Sequence, residues 1–104
     1  MVLYVTRWKI HPEKQEAYYE KAQGWMKTVA STPGVVEVRG YRPVSGDAQV
    51  VVTNEFADMA AWAAWSSNEA VQQAWQELHA HTLHLSAEVW GPSPVIPQPI
   101  RPGG

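Results

Sequence analysis

Cysteine is absent from the 104 residues, which excludes a disulfide framework, a thiolate nucleophile and any cysteine-based metal site. Neither charge is in strong surplus: eight Lys and Arg against ten Asp and Glu give a net charge of -2 and a pI near 6.0. The cations are scattered at Arg7, Lys9, Lys14, Lys21, Lys27, Arg39, Arg42 and Arg101. No basic stripe forms, so nucleic acid is not an expected partner. No apolar run approaches membrane-spanning length, and Val2 leads into an alternating strand pattern in place of a charged leader and apolar core. A cytoplasmic protein without membrane attachment is the expectation. Chemistry here must come from His, Tyr, Trp and carboxylates.

What the chain has instead is tryptophan, six residues of it, and three of its four histidines in one place. Trp62, Trp65, Trp75, His79, His81 and His84 all fall between Phe56 and His84, on what reads as a broken amphipathic helix. Indoles bring large apolar area and one N–H that needs a partner when buried, and imidazole titrates near neutrality. That combination suits a pocket wall as well as a core.

Val2 to Ile10 alternates as a strand, with Val2, Tyr4, Thr6, Trp8 and Ile10 on one side and Leu3, Val5, Arg7 and Lys9 on the other. Pro12, with Glu13 and Glu16 behind it, predicts a helix start. The apolar side of that helix is Tyr18, Ala22, Trp25, Met26, Val29 and Ala30, and it stops at Ser31-Thr32-Pro33-Gly34. Gly24 is a weak point within it. Val35 to Arg42 and Gln49 to Phe56 read as strands of a hairpin, the second central in its sheet because Val50, Val51, Val52 and Thr53 are so β-favouring. Asp58 caps a short helix carrying Met59, Trp62 and Trp65. Ser66 and Glu69 form a capping box for a second piece, with Val71, Ala74, Trp75, Leu78 and Thr82 on one face. Leu83 to Trp90 returns to a strand. From Gly91 onward five prolines among fourteen residues forbid a ladder or helix, leaving a disordered end or an arm on a partner subunit.

The chain therefore divides into one domain over residues 1–90 and a proline-rich tail over 91–104. The order strand, helix, strand, strand, broken helix, strand predicts an α+β, ferredoxin-like βαββαβ fold with helices on one face of an antiparallel sheet. The other face, where Leu3, Val5, Val51 and Leu85 or their alternating partners point, then needs a cover. A homodimer packed sheet to sheet is the physical expectation.

Ile10-His11-Pro12-Glu13, Thr32-Pro33-Gly34-Val35, Asn54-Glu55-Phe56 and Ala61-Trp62-Ala63-Ala64-Trp65-Ser66, in this order and spacing, resemble the antibiotic biosynthesis monooxygenase family of the dimeric α+β barrel superfamily, over residues 2 to 90. The resemblance implies an apolar pocket between helices and sheet, bounded here by Tyr4, Thr6, Trp8, Trp25, Trp62, Trp65, Trp75 and His79. It also implies a monooxygenase working without cofactor on a small aromatic, quinol or polyketide-like substrate. Other activities in such proteins are haem degradation and isomerisation or cyclisation, and a haem-binding or other small-molecule-binding protein is the rival from another class. The haem-degrading branch uses an Asn, a Trp and a His. Trp65 matches that Trp, while Thr6 and Trp75 stand where the Asn and His would be. Oxygenation without a cofactor requires a base for a phenol or enol. His79, one turn from Trp75, is the first candidate, ahead of His81, which the helical angle turns toward water, and His84; Tyr4 or Tyr41 are candidate hydrogen-bond donors to the oxyanion.

Overall fold

A computed structural model describes residues 1–103. Strand β1 (Val2–Ile10) leads through one turn of 3-10 helix at Pro12–Lys14 into α1 (Gln15–Ser31). Strands β2 (Val35–Tyr41) and β3 (Val50–Phe56) follow, then α2 (Met59–Ser66), α3 (Glu69–Ala80) and β4 (Thr82–Trp90). The sheet is antiparallel in the order β2-β3-β1-β4, so β3 is interior as its β-branched run predicts. This is the ferredoxin-like α+β arrangement.

Local chemistry explains most boundaries. Pro12 stands at the head of the first turn, where its missing N–H costs nothing, and His11 Nδ1 accepts from the amide of Glu13 at 3.1 Å. Gly34 turns the chain from α1 into β2 at φ 107°, and a Cβ there would meet the carbonyl oxygen of Ala61 at 3.3 Å. Only glycine serves both needs. Asp58 caps α2 by accepting from Ala61 N at 2.8 Å. At α3 the expected Ser66–Glu69 box is replaced by Asn68, whose Oδ1 accepts from Ala70 N and Val71 N at 2.8 and 3.4 Å. Ser66 is still the last residue of α2 and turns its hydroxyl back to Ala63 O, so it cannot cap the next helix.

The core fills the space between the helices and one sheet face. Trp8, Trp65, Phe56 and Val71 are among its most buried members. Two assignments to faces change. Ala30 is exposed, because the buried stripe of α1 narrows to Tyr18, Trp25 and Val29. Thr82 is buried but belongs to β4, and its hydroxyl donates back to Leu78 O at 2.8 Å.

The opposite sheet face carries Leu3, Val5, Val51, Thr53 and Trp90 around a hollow of about 440 Å³, with Arg7, Glu37, Arg39 and Glu55 among its walls. Leu85 does not join it and packs toward the helix-side core. The register pairs Leu3 with Trp90, Val5 with Glu88 and Arg7 with Ser86, then slips before Lys9 meets Leu83. His84 sits in this bulge at φ 55°. After Trp90, residues 91–103 form neither helix nor strand and are exposed.

Candidate functional site

Tyr4 is the hub of the site. Its place on β1 puts the ring on the helix-facing side, where the indoles of Trp62, Trp65 and Trp75 surround it at centroid distances of 5.9, 5.7 and 5.6 Å. These are contact separations with tilted or edge-on geometry, which aromatic quadrupoles favour. Trp65 is anchored: it is 1% exposed, donates to Val29 O at 3.1 Å and meets Phe56 at 5.1 Å.

Two polar groups in this apolar setting are unanswered. The indole N–H of Trp62 and the Oδ1 of Asn54 are buried with no hydrogen-bond partner among the described residues. Asn54 is the cross-strand neighbour of Tyr4 and shares its face, so both residues with unpaired atoms flank the same phenol. An unpaired buried donor or acceptor costs roughly 1–3 kcal/mol, and native interiors hold few of them. Burial also raises the pKa of the Tyr4 hydroxyl, keeping it protonated near neutrality as a donor.

The remaining expected residues fall elsewhere. Thr6 is buried beside the cluster, but its hydroxyl is committed to Val52 O at 3.2 Å. Trp8 and Trp25 belong to a second aromatic group: Trp8 Nε1 donates to Tyr18 Oη at 3.0 Å, and Tyr18 meets Trp25 edge-on at 5.8 Å. Trp25 in turn donates to Glu77 Oε2 at 2.6 Å and contacts His81 at 5.3 Å. No ring contact joins the two groups among the described residues. The residues expected from the resemblance to line one pocket thus fall into two contact groups, with Tyr4 in one and Trp8 and Trp25 in the other.

The histidines exchange places relative to expectation. His79 is exposed on α3, because the buried stripe runs through Val71, Ala74 and Leu78 and His79 lies roughly one residue's rotation beyond Leu78, past Trp75. His81 does not face water freely. It follows the last turn of α3, where the helical angle no longer applies, and lies half-buried on Trp25 with Nδ1 at 2.7 Å from Glu77 O. His84 is exposed in the β4 bulge, and Tyr41 lies on the outer strand, half exposed. Asn54 enters the sequence reading only as part of the Asn54-Glu55-Phe56 motif and not as a site residue; the signal for a role is a lone amide between Val52 and Phe56 on a strand otherwise dominated by β-branched residues.

Among the described residues no group of three or more His, Asp or Glu side chains is placed to hold a metal ion, and no helix is long and apolar enough to cross a membrane.

The fold is shared widely among solved structures. One described as an antibiotic biosynthesis monooxygenase is 15% identical, with a TM-score of 0.74 over 90% of this chain and 100% of that one. A dabb family protein with a ferredoxin-like fold from Mesorhizobium loti is 14% identical, with a TM-score of 0.79 over 88% and 96%. SnoaB, a cofactor-independent oxygenase from Streptomyces nogalater, is 18% identical, with a TM-score of 0.66 over 93% and 97%. No curated protein matches the sequence. Residues 1–78 match the family model described as antibiotic biosynthesis monooxygenase, and the chain belongs to that family.

Proposed function

We propose that this protein is a cofactor-independent monooxygenase for a small aromatic, quinol or polyketide-like substrate, which enters beside Tyr4 between the broken helix and the sheet. The observation that carries the reading is the pair of buried, unpartnered atoms, Trp62 Nε1 and Asn54 Oδ1, on two residues that neighbour Tyr4. A flat ring with hydroxyl or carbonyl oxygens satisfies both: the indole N–H and the Tyr4 O–H donate to its oxyanion, and Asn54 Oδ1 accepts from a second hydroxyl. The surrounding indoles exclude water from the reacting carbanion and stack on the ring. Because the rings are in contact without ligand, entry requires the exposed side of α2 and α3 to give way.

The chemistry balances without a cofactor because the substrate supplies the electrons. A naphthohydroquinone anion gives an electron to dioxygen, the two radicals join as a ring peroxide, and loss of water leaves a hydroxynaphthoquinone. One oxygen atom enters the ring and the other departs as water. The departing phenolic proton passes to solvent on the flank of α3 where Trp75 is half-buried and His79 is exposed. A second copy covers the bare sheet face and makes the dimeric α+β barrel.

The test is turnover of naphthohydroquinone under isotopically labelled dioxygen. The expected product is a hydroxynaphthoquinone with one labelled oxygen, formed without hydrogen peroxide and slowed at least about tenfold in Trp62→Phe by loss of one oxyanion donor. Labelled peroxide with unlabelled quinone, the outcome of simple autoxidation, overturns the proposal.

A further inference from the structure

A second hollow, of about 740 Å³, opens between α1 and the loop joining β2 to β3. It lies away from the Tyr4 cluster and shares no lining residue with it. Tyr18, Tyr19 and Tyr41 contribute its aromatic walls, and Arg42, Asp47 and Gln49 its polar ones. Its size falls within the range of about 300–1,000 Å³ typical of small-molecule sites.

Four features separate this cleft from ordinary surface relief. Tyr18 is 5% exposed, and its hydroxyl already accepts from Trp8 Nε1. That leaves its own proton, for which no acceptor exists among the described residues. The ion pairs among the described residues are Arg7 with Glu88 and Arg39 with Glu37, so Arg42 has no carboxylate partner although Asp47 lines the same cleft. Tyr19 is 66% exposed, leaving ring surface free for stacking, while Tyr41, 50% exposed, is shared between this cleft and the hollow on the outer sheet face. Gln49 is held in place because its Oε1 accepts from Ile10 N at 2.7 Å, fixing the end of the loop against β1.

The geometry points to a binding site for a flat aromatic ring bearing an oxyanion, with the ring among the tyrosines, the anion at Arg42 and a hydrogen bond from the buried Tyr18 hydroxyl. Arginine matches a carboxylate in a planar, two-pronged manner that lysine cannot. Burial raises the Tyr18 pKa, so the hydroxyl remains a donor throughout the neutral range. The site is separate from the proposed oxygenation site and stands or falls independently of it.

Calorimetric titration with naphthoate tests this directly, with naphthamide as the uncharged counterpart. Naphthoate is expected to bind saturably, and naphthamide about tenfold more weakly for want of the charge-assisted pair. Arg42→Gln, on an exposed side chain, is expected to cost naphthoate a similar factor, while Arg101→Gln in the tail leaves its affinity unchanged. Absence of saturable binding, equal affinity for the acid and the amide, or an unaltered Arg42→Gln overturns the proposal. So does loss of binding in Trp62→Phe, which would assign the ligand to the Tyr4 cluster instead.

Discussion

The indole N–H of Trp25 on α1 donates to Glu77 on α3 at 2.6 Å, clasping the two longest helices across the layer that covers the sheet. Trp25 is 5% exposed, so removing its acceptor strands a donor where water reaches poorly. Glu77→Ala is expected to lower unfolding free energy by about 1–3 kcal/mol, and Glu77→Gln by less, since its amide oxygen still accepts. Urea denaturation of the two variants checks the order.

Trp65 is the anchor of the Tyr4 cluster, and Trp75 is only half-buried. Trp65→Ala is expected to cost about 3–5 kcal/mol through the cavity it leaves and the loss of the bond to Val29 O. Trp75→Ala should cost distinctly less. Equal destabilisation would show that the cluster is not organised about Trp65.

Two glycines should behave oppositely. Gly24 lies exposed in mid-helix with open space around a notional Cβ, so Gly24→Ala is expected to stabilise by roughly 1 kcal/mol. Gly34→Ala must bear both a positive φ and a 3.3 Å approach to Ala61 O and should destabilise by a comparable or larger amount. Thermal denaturation of the pair measures both signs.

Burial raises the folded-state pKa of Tyr4 and of Tyr18 above the ordinary phenol value of 10.0. The unfolded chain therefore loses these protons first. The contribution to stability is complete below pH 10.0 and is lost as pH rises from there through the folded values. Tyr4→Phe and Tyr18→Phe should each flatten the alkaline fall in stability, followed by chemical denaturation across that range.

Haem is expected to give no saturable Soret shift. By the family resemblance, Thr6 and Trp75 would stand where the haem-degrading branch has its asparagine and histidine, and the Thr6 hydroxyl is already spent on Val52 O. A saturable shift abolished by His79→Ala would restore the haem-binding reading.

Much of the fold was legible because it rests on local signals. Pro12, Asp58, the Thr32-Pro33-Gly34 turn and the β-branched run Val50–Thr53 each act within a few residues of themselves, and the elements begin, end or stack where those signals place them. The errors come from relations that local periodicity does not contain. Leu85 faces the helices because it alternates in step with Ala87 and Val89, which pair with Thr6 and Tyr4, and the bulge at His84 then brings Thr82 to the same face; nothing in an alternating pattern announces a left-handed histidine. His81 and His79 were ordered by helical angle, yet the chain leaves the helix after Ala80 and the angle no longer applies. The resemblance groups Trp8 and Trp25 with Trp65 around one pocket, whereas Tyr18 draws them into a group of their own. The importance of Asn54 rests on what its side chain fails to touch, which only coordinates reveal.

The most direct measurement follows the indole N–H resonance of Trp62 while naphthohydroquinone is added without oxygen. The expected result is a saturable downfield shift of that resonance, as the buried donor gains an acceptor, with the Trp8 and Trp25 resonances unmoved because Tyr18 and Glu77 already hold them. An unmoved Trp62 resonance at saturating quinol, or a shift confined to Trp8 and Trp25, would contradict a ligand site beside Tyr4.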